Sequence, residues 1–123
     1  MNIWDKIEKI AAKSFKPPAS VAKEAQKALN YREKYKDEVK AGTRVGWIRA
    51  NQLANRENIS LDTIKRMKNF FTRHKKNKAI APDKKDTPWK DNGFVAHLLW
   101  GGDAGEKWAN NILNRIGFEA YCS

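Results

Sequence analysis

The sequence predicts an all-α fold: a single compact domain of about five helices with a helix-turn-helix-like central pair. Apolar residues recur at helical spacing along most of the chain, glycines and prolines interrupt that spacing, and no segment alternates as a strand does. A chain of 123 residues suits one core. Five tryptophans and five phenylalanines supply bulky apolar side chains for it, so the polar composition does not indicate disorder.

Residues 1–16 are predicted to form an N-terminal amphipathic helix or arm, because apolar side chains recur there with lysines on the opposite face. Pro17 and Pro18 must end this helix, and residues 17–123 then form the helical domain. Two roles remain open for the first helix. It either docks on the core of the domain or contacts a membrane surface or a partner.

Three helices are predicted over the next part of the chain. Ser20 is a suitable N-cap for a helix that runs to about Lys36. The central pair follows, from Thr43 or Arg44 to about Asn55 and from Ser60 to about His74. Helix starts and stops of this kind, with a short break between two apolar repeats, are typical of two helices that meet at an angle.

Individual residues of the central pair have predicted structural roles. Trp47 and Ile48 are expected to anchor its first helix in the core. Ala54 is small enough to let the two helices approach, and Asn58 tolerates the left-handed backbone that the turn requires. The spacing is close to that of a helix-turn-helix, although Glu57 occupies a turn position that is usually apolar.

A basic loop at 75–91 is predicted to be long and mobile, because it contains two prolines and has no periodicity. Trp89 is a candidate anchor where the chain returns to the core. A short apolar helix then begins near Gly93 and stops at Gly101-Gly102. His97, between apolar neighbours in that helix, is expected to be a hydrogen-bonded core residue rather than a metal ligand or a base.

The last helix is predicted to start at Asp103, with Glu106 completing a capping box. The glycine-rich stretch before it, WGGDAGEKW, offers free amides to an anion, but it lacks the Gly-Lys-Ser/Thr ending of a nucleotide-binding loop. A tight turn that lets Trp100 and Trp108 pack is the favoured interpretation.

Positive charge is concentrated in one part of the chain. The formal net charge is +11 and the pI is about 9.9. Between residues 65 and 85 there are nine lysines and arginines against the single acid Asp83. A basic surface of this kind binds polyanions, which include nucleic acid, an anionic membrane surface and an acidic protein.

The central pair and the basic loop together predict a DNA-binding surface, with duplex DNA as the favoured nucleic acid and the second helix of the pair in the major groove. The opposing interpretation is a helical hairpin in which Ile59 and Ile64 are ordinary core residues and no DNA is contacted. The predicted nucleic-acid-binding residues are Arg56, Ser60, Thr63, Lys65, Arg66, Lys68, Arg73, His74, Lys75, Lys76 and Lys78.

No catalytic or cofactor motif is present, so an enzyme is not predicted and neither a cofactor nor a metal is expected. The single cysteine, Cys122, excludes an intrachain disulfide and a cysteine-rich zinc site, and no segment has the apolar length of a membrane span. The expected location is the cytoplasm of a host cell, with association with a virion as an alternative. A second functional hypothesis is an interaction module that docks an acidic host or virion protein, motivated by tryptophans expected to be exposed.

The segment from about Pro17 to Ala109 resembles a small domain that recurs in bacteriophage proteins, encoded near or fused to prohead proteases and other head-morphogenesis proteins. The segment from Ile59 to His74 and the tryptophans around Gly101-Gly102 carry the resemblance most specifically. It implies a phage origin and a contact with packaged or replicating DNA. It assigns no role to any individual residue, and residues 1–15 and the long basic loop depart from it.

Overall fold

The computed structural model describes residues 2–5, 9 and 13–121, with side chains as far as residue 117. This part of the chain is mostly helical, which confirms the predicted all-α character. Its α-helices are α1 (Ala19–Tyr35), α2 (Arg44–Ala54), α3 (Leu61–Arg73), α4 (Asn92–Leu99) and α5 (Gly102–Tyr121). Short 3-10 helices lie at Lys36–Glu38, Lys75–Lys78, Pro82–Lys84 and Pro88–Lys90, so the predicted count of about five helices is too low.

One small sheet corrects the expectation that the chain has no strands. Strand β1 (Ser14–Phe15) pairs antiparallel with β2 (Ile59–Ser60). Strands of two residues leave no alternating pattern in a sequence, because only the neighbouring backbone determines that they pair. Of the predicted helix at residues 1–16, residues 3–5 and 9 are helical, Ser14–Phe15 form β1 instead, and residues 1, 6–8 and 10–12 lie outside the described residues. The pairing joins the end of that segment to the start of α3.

The core lies where α1 meets α2, α4 and α5. The buried face of α1 carries mostly small side chains, including Val21, Ala25 and Ala28, which let the other helices approach its backbone closely. Helix α3 packs chiefly against α5, and α2 packs chiefly against α1. The two helices of the central pair are therefore held by different partners, and each has its own support in the core.

The bounds predicted for the central pair agree with α2 and α3 to within about a residue. Side-chain caps explain both starts. The Oγ1 of Thr43 accepts a hydrogen bond from the amide of Gly46 at 3.1 Å, and the Oγ of Ser60 accepts one from the amide of Thr63 at 3.2 Å. The prediction that Asn58 adopts the left-handed conformation is wrong. Arg56 adopts it, with φ 51°.

Two other predicted caps are wrong. Helix α1 begins at Ala19 after Pro18, and no side chain caps it, so Ser20 lies inside the helix. Helix α5 begins at Gly102, one residue before the predicted cap Asp103. The Oδ1 of Asp103 instead lies 2.8 Å from the Nε2 of His97, and that histidine is buried, as expected for a hydrogen-bonded core residue.

The glycine-rich segment is a tight turn between α4 and α5, as the favoured interpretation predicted. Gly101 and Gly102 both have positive φ angles, 102° and 63°, which are strained for any other residue. A methyl group on Gly105 would lie 2.5 Å from the carbonyl oxygen of Trp100. The close approach of these backbones brings the indole of Trp100 over Phe70 of α3, with the ring centroids 4.9 Å apart.

The predicted loop at 75–91 contains three short 3-10 helices and is joined to the rest of the domain by specific contacts. The Asp91 carboxylate accepts hydrogen bonds from the amides of Ala81 at 2.7 Å and Phe94 at 3.0 Å. Trp89 stacks on Tyr35 of α1 with the rings 3.6 Å apart and nearly parallel, which confirms it as an anchor. Individual polar and aromatic contacts hold this segment, and they leave no periodic pattern in its sequence.

We expect Gly105→Ala to lower the free energy of unfolding by about 1–3 kcal/mol, because the new methyl group must displace the backbone of Trp100. Gly117→Ala is the matched control in the same helix. A methyl group there meets nothing within 4 Å, so it should raise the free energy of unfolding by about 0.5–1 kcal/mol through helix propensity. Urea denaturation measures both, and equal effects would contradict the packing described for Gly105.

We expect Asp91→Ala to cost about 1–2 kcal/mol of stability at pH 7, since it removes the cap of α4 and the bond to Ala81 together. Partial burial raises the pKa of Asp91, but hydrogen bonds from the two amides and the charge of Lys84 outweigh it and the pKa is lowered overall. The stabilisation by Asp91 is therefore complete above the ordinary carboxyl pKa near 3.8 and is lost as the pH falls through the lowered value.

Unfolding of both proteins at pH 7 and near pH 2 should accordingly show the difference between them shrinking in acid. Asp91→Asn is the control for charge. It can retain the cap through its amide oxygen and should lose only part of the stability. A difference between the wild type and Asp91→Ala that stays constant with pH would show that the ionised carboxylate is not what fastens this segment.

Candidate nucleic-acid interface

Helix α3 has one buried face and one basic face. Five of its apolar side chains are buried: Leu61, Ile64, Met67, Phe70 and Phe71. An α-helix rotates by about 100° per residue, so residues that lie between the buried ones in sequence are on the opposite face. Burial of one face therefore turns the other toward solvent. The exposed residues include four of the predicted contacts, Lys65, Arg66, Lys68 and Arg73. Ile59 and Ile64 are core residues, as the opposing interpretation expected, but their burial is also what orients the basic face.

The basic face continues beyond the end of α3 into the 3-10 helix Lys75–Lys78. Lys75 and Lys76 are exposed and make no ion pair among the described residues. Lys78 differs from them, because its Nζ lies 2.5 Å from the Oε1 of Glu106, and this hydrogen bond raises the pKa of Lys78. His74 is exposed and packs its ring against Phe70, with the centroids 4.7 Å apart.

The predicted contacts at the start of α3 are occupied by structural bonds. Ser60 accepts from the amide of Thr63, and their hydroxyl oxygens lie 3.1 Å apart. The Nε of Arg56 donates to the carbonyl oxygen of Pro17 at 2.8 Å. Strand β1 pairs directly beside Ser60. The structure therefore brings together the basic residues from Lys65 to Lys76, while Arg56, Ser60 and Thr63 make hydrogen bonds within the protein.

An open groove of about 450 Å³ runs along one side of α3. It is lined by Val45, Arg66, Asn69, Thr72, Arg73 and Trp100. Arg66 and Arg73 are seven residues apart, so they lie two turns or about 10 Å from each other along the helix. Lys65 and Lys68 do not line the groove. The basic face thus has two flanks, and one of them forms a wall of this groove.

Arg49 is a buried residue near the groove that sequence reasoning missed. Only 8% of its surface is exposed, while the predicted anchor Ile48 is 45% exposed. The buried face of α2 consists of Gly46, Arg49, Ala50 and Leu53, a helical repeat that already contains Arg49. That spacing is the signal that identifies it. Arg49 was overlooked because the residue that anchors a helix in the core was assumed to be apolar.

Comparisons of the chain with protein-family models, with curated proteins and with solved structures find no match. Among the described residues, no three His, Cys, Asp or Glu side chains are grouped so that they could hold a metal ion. None of the described helices combines the length and the apolar character that a membrane span requires.

We expect Arg49→Met to fold and to have a free energy of unfolding equal to the wild type or higher by about 1 kcal/mol. Burial lowers the pKa of Arg49, and the charge of Arg66 lowers it further, so the folded protein holds this cation at a cost. Methionine fills a similar volume without a charge. Chemical denaturation measures the change. A loss of several kcal/mol would show that the contacts of the guanidinium with Gln52 and Trp100 outweigh the cost of burial.

Proposed function

We propose that this protein binds nucleic acid, with duplex DNA as the favoured ligand, through the exposed basic face of α3 and the adjoining 3-10 helix. The observation that carries the proposal is the continuity of that surface. Arg66 and Arg73 are exposed on α3, whose other face is packed in the core, and Lys75 and Lys76 follow on the adjoining 3-10 helix. A row of cations on a rigid element matches the regular spacing of phosphates along a duplex and releases counterions when it binds.

Phosphate contacts carry more of this proposal than base contacts do. A helix-turn-helix reads bases mainly with residues near the start of its second helix. Here Ser60 and Thr63 bond to each other, and Asp62 pairs with Arg66 at 3.2 Å. The cations of the middle and end of α3 are the groups that remain available. The helix-turn-helix docking mode stays part of the proposal as the way α3 approaches a groove, with limited sequence preference.

The resemblance to a phage domain gives this proposal a biological setting. A phage product that contacts packaged or replicating DNA in the host cytoplasm or in a virion needs a basic surface of moderate size and little sequence preference. The 25 lysines and arginines against 14 acids in this chain suit that task. Both the phage origin and the location are proposed here on the resemblance and the charge.

A second candidate function is docking of an acidic protein. The observation in its favour is that Val45 and Ile48 on α2 expose 49% and 45% of their surface, and Val45 also lines the basic groove. Apolar side chains next to cations are typical of protein interfaces. The tryptophans that first motivated this hypothesis give it less support, since all but Trp4 are at least half-buried.

We expect Lys75→Gln/Lys76→Gln to weaken duplex DNA binding and to lower the slope of log affinity against log salt by about two, since each lysine that contacts a phosphate contributes about 0.9. Fluorescence anisotropy with labelled duplex at several salt concentrations measures both quantities. The control is Lys23→Gln/Lys40→Gln, which removes the same charge from exposed positions on other elements. If both double variants lower the slope equally, binding depends on net charge alone and the proposed surface is wrong.

A further inference from the structure

The side chain of Arg49 is the least satisfied charged group in the described part of the chain. It is more than nine-tenths buried, and it forms no ion pair with any described carboxylate. Its Nη1 donates to the Oε1 of Gln52 at 2.5 Å, while its Nε has no hydrogen-bond partner. A buried guanidinium normally has a carboxylate or another anion beside it, because removing its charge from water is costly.

The neighbours of Arg49 make its position more unfavourable in the absence of an anion. Its guanidinium carbon lies 5.5 Å from the centroid of the Trp100 ring, and that ring lines the groove along α3. Arg66 is close enough to lower the pKa of Arg49, and Arg66 lines the same groove. Arg66 and Arg73 therefore line the open groove two turns apart, and the buried Arg49, which Arg66 repels, contacts the Trp100 ring that also lines it.

We propose that the groove between α2 and α3 binds a phosphate group, held by Arg66 and Arg73 at its wall and stabilised by the buried charge of Arg49. Arginine presents paired N–H donors that match two oxygens of a phosphate. Asn69 and Thr72 add neutral donors on the same wall. A bound phosphate would supply the negative charge that no described carboxylate supplies to Arg49.

The acidic group nearest to this wall does not prevent phosphate binding. Asp62 pairs with the Nε of Arg66, but the two side chains are 75% and 64% exposed. An exposed ion pair of this kind contributes little, because water and salt screen it. Arg66 can therefore exchange Asp62 for a phosphate oxygen at small cost, or keep it while its other nitrogens donate to the ligand.

The phosphate has two possible sources, a phosphodiester of bound DNA or a free phosphate-bearing compound. Where DNA supplies it, this inference rests on the proposed function and defines one fixed phosphate contact within a broader basic surface. Where a free compound supplies it, the groove is a separate anion site. The chemistry of recognition is the same in both cases, so the test needs one arm for each source.

The first arm measures thermal unfolding in inorganic phosphate and in sodium chloride of equal ionic strength. We expect phosphate to raise the Tm saturably beyond chloride. Arg73→Gln, which loses a charge-assisted contact, and Arg49→Met, which loses the buried charge, should each weaken phosphate binding at least about tenfold. Lys68→Gln is the matched control, because it removes one exposed charge from the flank of α3 that does not line the groove. Arg73 is exposed, so its variant tests the groove without disturbing the core.

The second arm titrates the same variants with duplex DNA that carries no terminal phosphate. Weaker DNA binding by Arg49→Met and Arg73→Gln than by Lys68→Gln assigns the groove to a backbone phosphodiester. The protein could instead bind inorganic phosphate in the groove and bind no DNA. That result supports a free phosphate compound as the ligand and contradicts only the proposed function. If neither phosphate nor DNA distinguishes Arg49→Met and Arg73→Gln from Lys68→Gln, the inference is overturned, and DNA binding by the wild type would still support the proposed function.

Discussion

Burial of one face of α3 is the constraint on which the rest of the structure depends. Ile64, Met67 and Phe71 are almost wholly removed from water, and each such side chain stabilises the fold by about 1.5–3 kcal/mol. These residues fix the rotation of α3 about its axis, because any other rotation would expose them. The rotation in turn determines which cations face solvent and which of them border α2. The electrostatics of the surface is thus a consequence of the packing beneath it.

Periodicity was enough to predict the part of the fold that depends on regular helices. The bounds of α2 and α3, the basic face of α3 and the burial of His97 all follow from residues that repeat at helical spacing or lie among apolar neighbours. Contacts between distant residues were not predictable in this way. The pairing of Ser14 with Ser60 and the bond from Arg56 to Pro17 join segments that are far apart in sequence, and neither leaves a local pattern.

For the same reason, sequence reasoning located a basic surface but could not assign the contacts of its individual residues. Net charge shows that a basic surface exists, but it cannot show that Lys78 is bound to Glu106 or that Ser60 is used as a cap. Arg49 is the clearest case. Charged residues are assigned to the surface by default, although the helical spacing of the buried face of α2 includes Arg49 and Trp100 packs over its guanidinium.

The contacts that hold residues 75–91 in place decide how the groove of α3 can act together with Lys75 and Lys76. Lys75 and Lys76 stand on a segment that is fixed at Lys78 by Glu106 and again at Asp91 by two amides. A free loop would lose conformational entropy when it bound phosphates, whereas a fastened one has already lost it during folding. Under the proposed function, the groove of α3 and the lysines that follow it act as one preorganised surface, and a ligand long enough to reach both gains from each without ordering the chain between them. A duplex backbone has that length and a single phosphate compound does not, so the proposed surface as a whole suits a polymer better than a small ligand.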